Sequence, residues 1–370
     1  MSESSGRPRG ANRGWGQRES AYTKWVRGEG VPLYTGSHVG DLTTAEVAPW
    51  PRTGQKGAIV SLASQQQTDG WLMEIAPGAA TEPLHHLFEV SYYVLQGHGA
   101  TTIWQPVSNA KQTVEWAPGA LFSPPLNCYY QHFNHDGQHP ARLFSPTTAP
   151  LMMNSMQDSE LVFKSEWVFK DRYSAADDYF TGPGRKIDSR EWETNFIPDV
   201  KSFKLEDRSE RGAKSSIMFF LMSGNAMNIH ISEFPPGAYK KAHRHGPGAE
   251  IIVLNGSGYS LLWFPGDQER VKVDWKPGSI FSPRNGEYHQ HFNTGPTPAR
   301  YLAYTFGSLV VSDTEDAGEG ARLSEREGGW QIEYEDEDPA VYDLFQRECD
   351  RNGAAVTIDH PRRRPATAGN

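Results

Sequence analysis

The chain has 370 residues, a formal net charge of −9, 37% hydrophobic residues and 12% aromatic residues. This length predicts about two domains, and the composition is that of a globular protein rather than a disordered one. The mild negative charge gives no reason to expect nucleic acid as a partner, and no apolar run approaches the ~20 residues of a membrane-spanning helix.

The N-terminal segment, residues 1–28, is predicted to be a flexible tail. Its first part is rich in Ser, Gly and Arg, and it lacks the apolar core of a secretory signal. The chain has two cysteines, Cys128 and Cys349, which lie far apart and form no CxxC motif. We therefore expect a cytoplasmic protein without a disulfide framework.

Short strand-like segments separated by Gly and Pro dominate residues 29–150 and 206–312. Examples are GWLMEIAPG and SYYVLQGHG in the first stretch and NIHISEFPPG and EIIVLNGSG in the second. Turn residues recur at the roughly 8–12-residue spacing that is typical of an all-β sandwich or barrel.

An internal repeat relates these two stretches. WAPGALFSPPLNCYYQHFN, residues 116–134, matches WKPGSIFSPRNGEYHQHFN, residues 275–293, at 11 of 19 positions. The offset is 159 residues, and the same offset aligns VLQGHG at 94–99 with VLNGSG at 253–258. We therefore predict two copies of one β-domain, at 29–150 and 206–312.

The remaining segments connect or extend the two domains. Residues 151–205 are expected to form an irregular linker, with one candidate helical stretch near residues 167–176. Residues 313–370 are expected to form an acidic extension, a short helix and a tail. Asp338 as N-cap and Pro339 at the first helical position predict that this helix covers about 339–351.

The second copy contains a set of metal-ligand side chains. His243 and His245 are two residues apart on a predicted strand and so face the same side. Glu250 follows after a Gly-Pro-Gly turn, and His289 begins another strand-like stretch. Three imidazoles and one carboxylate suit Fe, Mn, Ni, Cu or Zn. The alternative is that these groups only hydrogen-bond one another, but burying four polar groups without a metal would be costly.

The spacing G(x)5HxH(x)4E from Gly237, followed by P-x-x-G-x-x-H-x-x-x-N, resembles the two motifs of the cupin superfamily. The resemblance covers both copies and implies an all-β bicupin: two tandem jelly-roll barrels, a partly helical linker and a C-terminal helix. It implies one divalent metal per chain on the four residues above. Two residues separate Pro283 from Gly286 where one is usual, which we interpret as a loop variation because the spacing from His289 to Asn293 is intact.

The first copy serves as an internal control. At the offset of 159, the positions of the four ligands hold Leu84, His86, Ser91 and Tyr130. Three of the four ligands are lost, so this barrel is expected to be structural. A rearranged site of His86, His132 and Glu89 is the alternative.

Five further residues of the second copy are candidates for catalysis or substrate binding. His291 and His230 are candidate acid–base groups, since histidine titrates near neutral pH. His291 has His132 as its equivalent in the first copy, which favours a structural role, and His230 lines the site only if its strand face points inward. Lys241, Tyr259 and Trp263 are candidates for substrate contact, although rim lysines are usually solvated and barrel aromatics usually belong to the core.

The resemblance implies an enzyme, and the leading hypothesis is an Fe(II) dioxygenase, an oxidoreductase. Its substrates would be molecular oxygen and a small bidentate phenol, diketone or hydroxy acid. One alternative is a non-redox lyase, decarboxylase or isomerase that uses Mn, Ni or Zn. The other is a non-catalytic cupin that binds a small molecule. A homo-oligomer is expected, because bicupins often pack as oligomers.

Overall fold

The computed structural model describes residues 19–63, 67–106, 110–173, 176–246, 248–307 and 323–361. The described chain is mainly β-sheet. The strands are β1 Leu33–Tyr34, β2 His38–Val39, β3 Ala48–Trp50, β4 Gln55–Val60, β5 Asp69–Ile75, β6 Tyr92–Gln96, β7 Gly99–Trp104, β8 Lys111–Trp116, β9 Leu121–Phe122, β10 Tyr129–Asn134, β11 Ala141–Thr147, β12 Arg185–Asp188, β13 Glu191–Glu193, β14 Phe196–Ile197, β15 Glu206–Asp207, β16 Ser216–Leu221, β17 Met227–Phe234, β18 Ala238–Tyr239, β19 Glu250–Asn255, β20 Gly258–Trp263, β21 Val271–Trp275, β22 Ile280–Phe281, β23 Tyr288–Asn293 and β24 Ala299–Phe306. The α-helices are α1 Ala21–Glu29, α2 Ala149–Met156, α3 Ser159–Lys164 and α4 Pro339–Asn352, with 3₁₀ turns at Ser209–Arg211 and Glu325–Glu327.

Each half of the chain pairs a large sheet with a small one, as a jelly roll does. In the first half, the large sheet runs β1-β4-β5-β11-β6-β9-β14 and the small sheet β10-β7-β8. In the second half, the large sheet runs β12-β13-β16-β17-β24-β19-β22-β2 and the small sheet β18-β23-β20-β21. The predicted all-β fold of two tandem barrels is confirmed.

The two halves exchange edge strands. β2, from the first half, pairs with β22, and β14, from the predicted linker, pairs with β9. Two equivalent backbone hydrogen bonds follow these strands: Leu42 N–H donates to the Gly278 carbonyl at 2.8 Å, and Val200 N–H donates to the Gly119 carbonyl at 2.9 Å. Part of the predicted linker therefore belongs to the sheets, while the exact domain boundaries stay a prediction.

The two large sheets also pack against each other. Leu72 and Phe144 of the first half share one core with Ile229, Ile252 and Leu302 of the second half, and all are at most 1% exposed. Each large sheet is thus buried on both faces, with a barrel interior on one side and the other half on the other. This explains why strands such as β19 are apolar at successive positions rather than at alternate ones.

Helix α4 covers the outer face of the small sheet in the second half. Phe345 and Cys349 of α4 are fully buried in the same cluster as Phe292 of β23. The Asp338 carboxylate accepts a hydrogen bond from the Ala340 N–H at 2.9 Å and caps the helix. The C-terminal helix predicted from Asp338 and Pro339 is therefore confirmed.

The helical stretch expected near residues 167–176 is not found where the chain is described. Residues 170–172 form a turn, and the helices of this region, α2 and α3, lie earlier. Asp158 begins α3 by accepting hydrogen bonds from the N–H groups of Glu160 and Leu161. The last part of the predicted flexible N-terminal tail instead forms α1, in which Tyr22 and Val26 are buried in one cluster with Trp71. Residues 1–18, the first part of the acidic extension and the last nine residues lie outside the described residues. No helix in the described ranges has the length and apolar character to span a membrane.

Candidate metal centre

Three of the four predicted metal ligands converge at one end of the second barrel. His243 and His289 pair across two strands, and the N–H of each donates to the carbonyl of the other. The ring of His245 lies 4.9 Å from that of His289 and 5.9 Å from that of His243, measured between centroids. One ligand atom from each histidine lies within 4.8 Å of the others. These three side chains are close enough to share one ion.

Backbone carbonyls orient two of these rings. His243 Nδ1 donates to the Lys241 carbonyl at 3.0 Å, and His289 Nδ1 donates to the Glu287 carbonyl at 3.2 Å. Because a carbonyl only accepts, the proton sits on Nδ1 and Nε2 keeps its lone pair for a metal. Burial lowers the pKa of His245 to about 4, and burial together with Arg211 lowers the pKa of His243 well below its usual value. The histidines are therefore neutral at pH 7, which is the form that binds metal.

Glu250, the fourth predicted ligand, does not join the three histidines. Val253 of the same strand lines the barrel interior beside His291, so the alternation of β19 places Glu250, Ile252 and Leu254 on the opposite face. Glu250 is fully buried there, and neither carboxyl oxygen has a hydrogen-bond partner among the described residues. Burial, and secondarily Asp69 of the first half, raise its pKa well above the usual value. The structure thus shows a three-histidine cluster rather than the predicted set of four.

Lys241 also points away from the histidines. The pairs Tyr239–Phe292 and His243–His289 show that this strand has one residue more than its partner, which is a β-bulge. The even spacing of Lys241 and His243 predicts that they share a face of the strand. Because of the bulge, they do not. Its ammonium group pairs with Glu333 at 2.5 Å.

Tyr259 and Trp263 lie on the outer face of the small sheet. Tyr259 stacks on Phe292 at 4.5 Å beneath α4, and Trp263 stacks on Tyr288 at 5.4 Å. The inward position between them is Ser260, which contacts His291. Neither aromatic ring is brought to the histidine cluster, because side chains alternate along β20.

His291 belongs to a group that both barrels contain. Its Nδ1 lies 2.8 Å from Ser260 Oγ, to which the Trp275 indole donates at 3.0 Å. The first barrel repeats this arrangement with His132, Thr101 and Trp116, at 2.6 and 2.9 Å. The repetition favours a structural role, although the His291 ring also lies 5.5 Å from that of His289. A catalytic role for His291 stays a prediction.

His230 faces the barrel interior. Its ring lies 6.2 Å from that of Tyr301 and 5.2 Å from that of Phe219. Burial, then Arg208 and Lys240, lower its pKa well below the usual value. Its Nδ1 atom is buried and has no hydrogen-bond partner among the described residues. Of the two orientations that the sequence left open, the structure shows the inward one.

Three basic residues near the histidines were missed by sequence reasoning: Lys240, Arg208 and Arg211. Lys240 is 3% exposed and Arg211 is 5% exposed. Arg211 acts electrostatically on His243 and His245, and Arg208 on His230 and His245. Of these three, Lys240 could have been found from the internal repeat, because the repeat places Thr81 of the first copy at its position.

Hydrogen-bonded side chains fill the equivalent place in the first barrel. Tyr130, at the position of His289, donates to His86 Nε2 at 2.6 Å and accepts from the Tyr92 hydroxyl at 2.9 Å. Glu89 instead accepts from the N–H groups of residues 226 and 227 in the second half. The alternative site of His86, His132 and Glu89 is therefore not assembled in the described structure.

Comparisons with known proteins agree with this fold. No family model matches the chain. A putative germin-like protein 9-2 from Oryza sativa subsp. japonica is 26% identical over 135 residues, which are 36% of this chain, and the chain spans 58% of the length of this curated relative. A solved structure titled for the substrate binding mode of oxalate decarboxylase is 15% identical, with a TM-score of 0.50 and coverage of 89% of this chain and 88% of that one. A mutant of the Bacillus subtilis oxalate decarboxylase is 14% identical, also with a TM-score of 0.50, and covers 89% and 88% of the two chains.

Proposed function

We propose that the second barrel of this chain, whose fold is that of two-domain cupins, is a metal-dependent active site for a small carboxylate substrate. The proposed reaction class is a non-redox lyase, with decarboxylation as the first candidate. The observation that carries the proposal is that a histidine cluster and a buried lysine, Lys240, occur in one barrel, with the buried Arg211 close enough to act electrostatically on the histidines. The solved oxalate decarboxylases share the fold, which is compatible with this class but does not establish it.

The three histidines would hold the ion, His243 and His289 through their Nε2 atoms. A divalent ion there supplies Lewis-acid polarisation and a fixed orientation for a bound carboxylate. Three neutral imidazoles suit Mn, Fe, Ni, Cu and Zn, so the proposal leaves the ion to measurement. The comparisons give no support to the expected preference for Fe(II).

The buried cations would recognise the substrate. Arg211 acts electrostatically on His243, His245 and His289. A cleft with charge of one sign and apolar walls attracts a ligand of the opposite sign. In a decarboxylation, the carbon that loses CO₂ keeps the bonding electron pair and must take up a proton. His230 and His291, which burial keeps neutral, are the proposed groups to relay that proton.

Two other functions were expected from the sequence, and the experiment has to separate them. The Fe(II) dioxygenase requires oxygen, and the non-catalytic binding protein requires no turnover. The protein would be purified without oxygen, its metal would be measured by mass spectrometry, and CO₂ release would be followed with oxalate and other small carboxylic acids. We expect about one metal per chain and turnover that is unchanged by oxygen.

The controls follow from the two barrels. His289→Ala removes a proposed ligand and should abolish both bound metal and turnover, whereas His86→Ala in the first barrel should leave the metal content near that of the parent. Metal retained by His289→Ala would overturn the site, and turnover that depends on oxygen would favour the dioxygenase. The cytoplasmic location and the homo-oligomer expected from the sequence stay predictions.

A further inference from the structure

Lys240 is a buried lysine inside the second barrel, and it reaches from the small sheet to the large one. Its backbone N–H donates to the His291 carbonyl on β23. Its ammonium group donates to the Ser232 hydroxyl at 2.5 Å and to the Tyr301 hydroxyl at 2.9 Å, both on the large sheet. Both acceptors are neutral hydroxyl groups, and among the described residues no ion pair with a carboxylate is found for Lys240. Burial, then Arg208 and Arg211, lower the pKa of Lys240 well below its usual value, because a buried charge with only neutral partners is costly to maintain. A bound carboxylate would supply the missing counter-charge and favour the ammonium form.

The fold itself does not require this arrangement, because the first barrel has the same strands without it. Thr81 stands at the position of Lys240 and Met73 at that of Ser232. Tyr301 pairs with Ser232 across the large sheet, and Leu143 pairs with Met73 at the same place in the first barrel. The second barrel, which also holds the histidine cluster, therefore has three polar side chains at these positions: Lys240 in place of Thr81, Ser232 in place of Met73 and Tyr301 in place of Leu143. The polar group and the proposed metal site occur together.

Two hydrogen-bonding groups next to Lys240 remain available to a ligand. An ammonium has three N–H donors, and protein acceptors take two of those on Lys240. His230, whose ring lies 6.2 Å from that of Tyr301, has a buried Nδ1 atom without a partner among the described residues. His230 and Ser232 are two residues apart on β17 and so share its inward face, and Ser232 accepts a hydrogen bond from Lys240.

We propose that Lys240, His230 and Tyr301 form an anion-binding subsite. It would hold one carboxylate of the substrate, namely the one that is not at the metal. The inference rests on the proposed function in that it takes the same barrel to be the substrate site. It deepens that function because it specifies the substrate class: a short dicarboxylate, with one carboxylate at the histidine cluster and the other at Lys240.

Malonate binding tests the subsite without relying on turnover. Isothermal titration calorimetry would measure malonate binding to the full-length protein, as purified and after removal of metal, at constant ionic strength. Lys240→Met removes the charge but keeps an unbranched side chain, and we expect malonate affinity to fall about 10- to 100-fold in both preparations. Lys241→Met is the matched control, since the Lys241 ammonium pairs with Glu333 outside the barrel interior. Its affinity should equal that of the parent.

Stability separates a binding role from a structural one. Replacing a buried cation by an apolar side chain should leave the melting temperature of Lys240→Met equal to or above that of the parent. If this variant fails to fold, Lys240→Arg provides the same test, since its planar head group cannot reproduce the ammonium geometry and malonate affinity should fall about tenfold. Unchanged affinity in the folded Lys240 variant, or no malonate binding by the parent in either preparation, would overturn the subsite. Metal content and turnover are measured separately from malonate binding. If the parent shows no turnover but binds malonate, and the Lys240 variants lose that binding, then the proposed reaction is wrong and the subsite is supported.

Discussion

Replacing Glu250 distinguishes the three-histidine cluster of the structure from the four-ligand set that the sequence predicts. Glu250 is fully buried between the two halves of the chain, and neither of its carboxyl oxygens has a hydrogen-bond partner among the described residues. Glu250→Met removes the carboxyl group and keeps a flexible side chain of similar length. In the structure this change leaves the histidines untouched.

The expected effect on stability follows from the unsatisfied carboxyl group. A buried polar group without a partner costs about 1–3 kcal/mol, so Glu250→Met should raise the free energy of unfolding by an amount in that range. For a domain of 150–250 residues, each kcal/mol corresponds to about 2–4 °C in melting temperature. The measurements are thermal unfolding followed by circular dichroism and metal content by mass spectrometry. We expect a higher melting temperature and an unchanged metal content.

A direct comparison with His289→Ala completes the test. That variant should lose the metal, since His289 contacts both other histidines of the cluster. If Glu250→Met loses the metal as His289→Ala does, then Glu250 is a ligand and the strand alternation assigned to β19 is incorrect. A lower melting temperature with unchanged metal would instead show that the carboxyl group has a partner that stabilises it.

Two further predictions concern the first barrel. Asp69 is fully buried, and burial raises its pKa to about 6 against hydrogen bonds from Thr147 and Tyr22. Because the folded protein holds this proton more tightly than the unfolded chain, the stability contributed by Asp69 is complete below about pH 4 and is lost as the pH rises to about 6. We would measure the free energy of unfolding in urea at several pH values across this range. The difference in this free energy between Asp69→Asn and the parent should shift in favour of the variant by about 3 kcal/mol as the pH rises. A difference that does not change with pH would contradict this. Tyr130→Phe removes the hydroxyl that donates to His86 and should lower the free energy of unfolding by about 1–3 kcal/mol. Its metal content should stay that of the parent, and loss of about half the metal would show that the first barrel also binds an ion.

The repeat and the histidine spacing were sufficient to predict the two barrels and the three histidines that converge. Both features can be recognised in the sequence alone, because neither a duplicated pattern nor an HxH pair on a strand requires knowledge of the partner strands. The inward orientation of His230 was left open for the opposite reason. It depends on which face of β17 is covered by the other half, and the sequence of that strand alone does not specify this.

The misplaced residues share one physical cause, which is that the face of a strand residue depends on its neighbours. Glu250 begins the run EIIVLN, which is apolar on both faces because the large sheet is buried on both sides, so alternation could not show where its carboxylate points. Lys241 was misassigned because the bulge beside His243 becomes visible only when the partner strand is known. Lys240 could have been found from the sequence, since the internal repeat aligns it with Thr81.

The shared core also predicts that the second barrel will not fold alone. Ile229, Ile252 and Leu302 are at most 1% exposed because the large sheet of the first half covers them, and β22 takes its edge partner β2 from that half. Burial stabilises each such side chain by roughly 1.5–3 kcal/mol, and several of these contributions together exceed the usual margin of stability of a domain. Expressed alone, residues 185–361 should therefore aggregate or lack a cooperative thermal transition, whereas the full chain shows one. A soluble fragment with a cooperative transition and bound metal would show that the first barrel is not needed to cover this sheet, and the large shared core would then require another explanation.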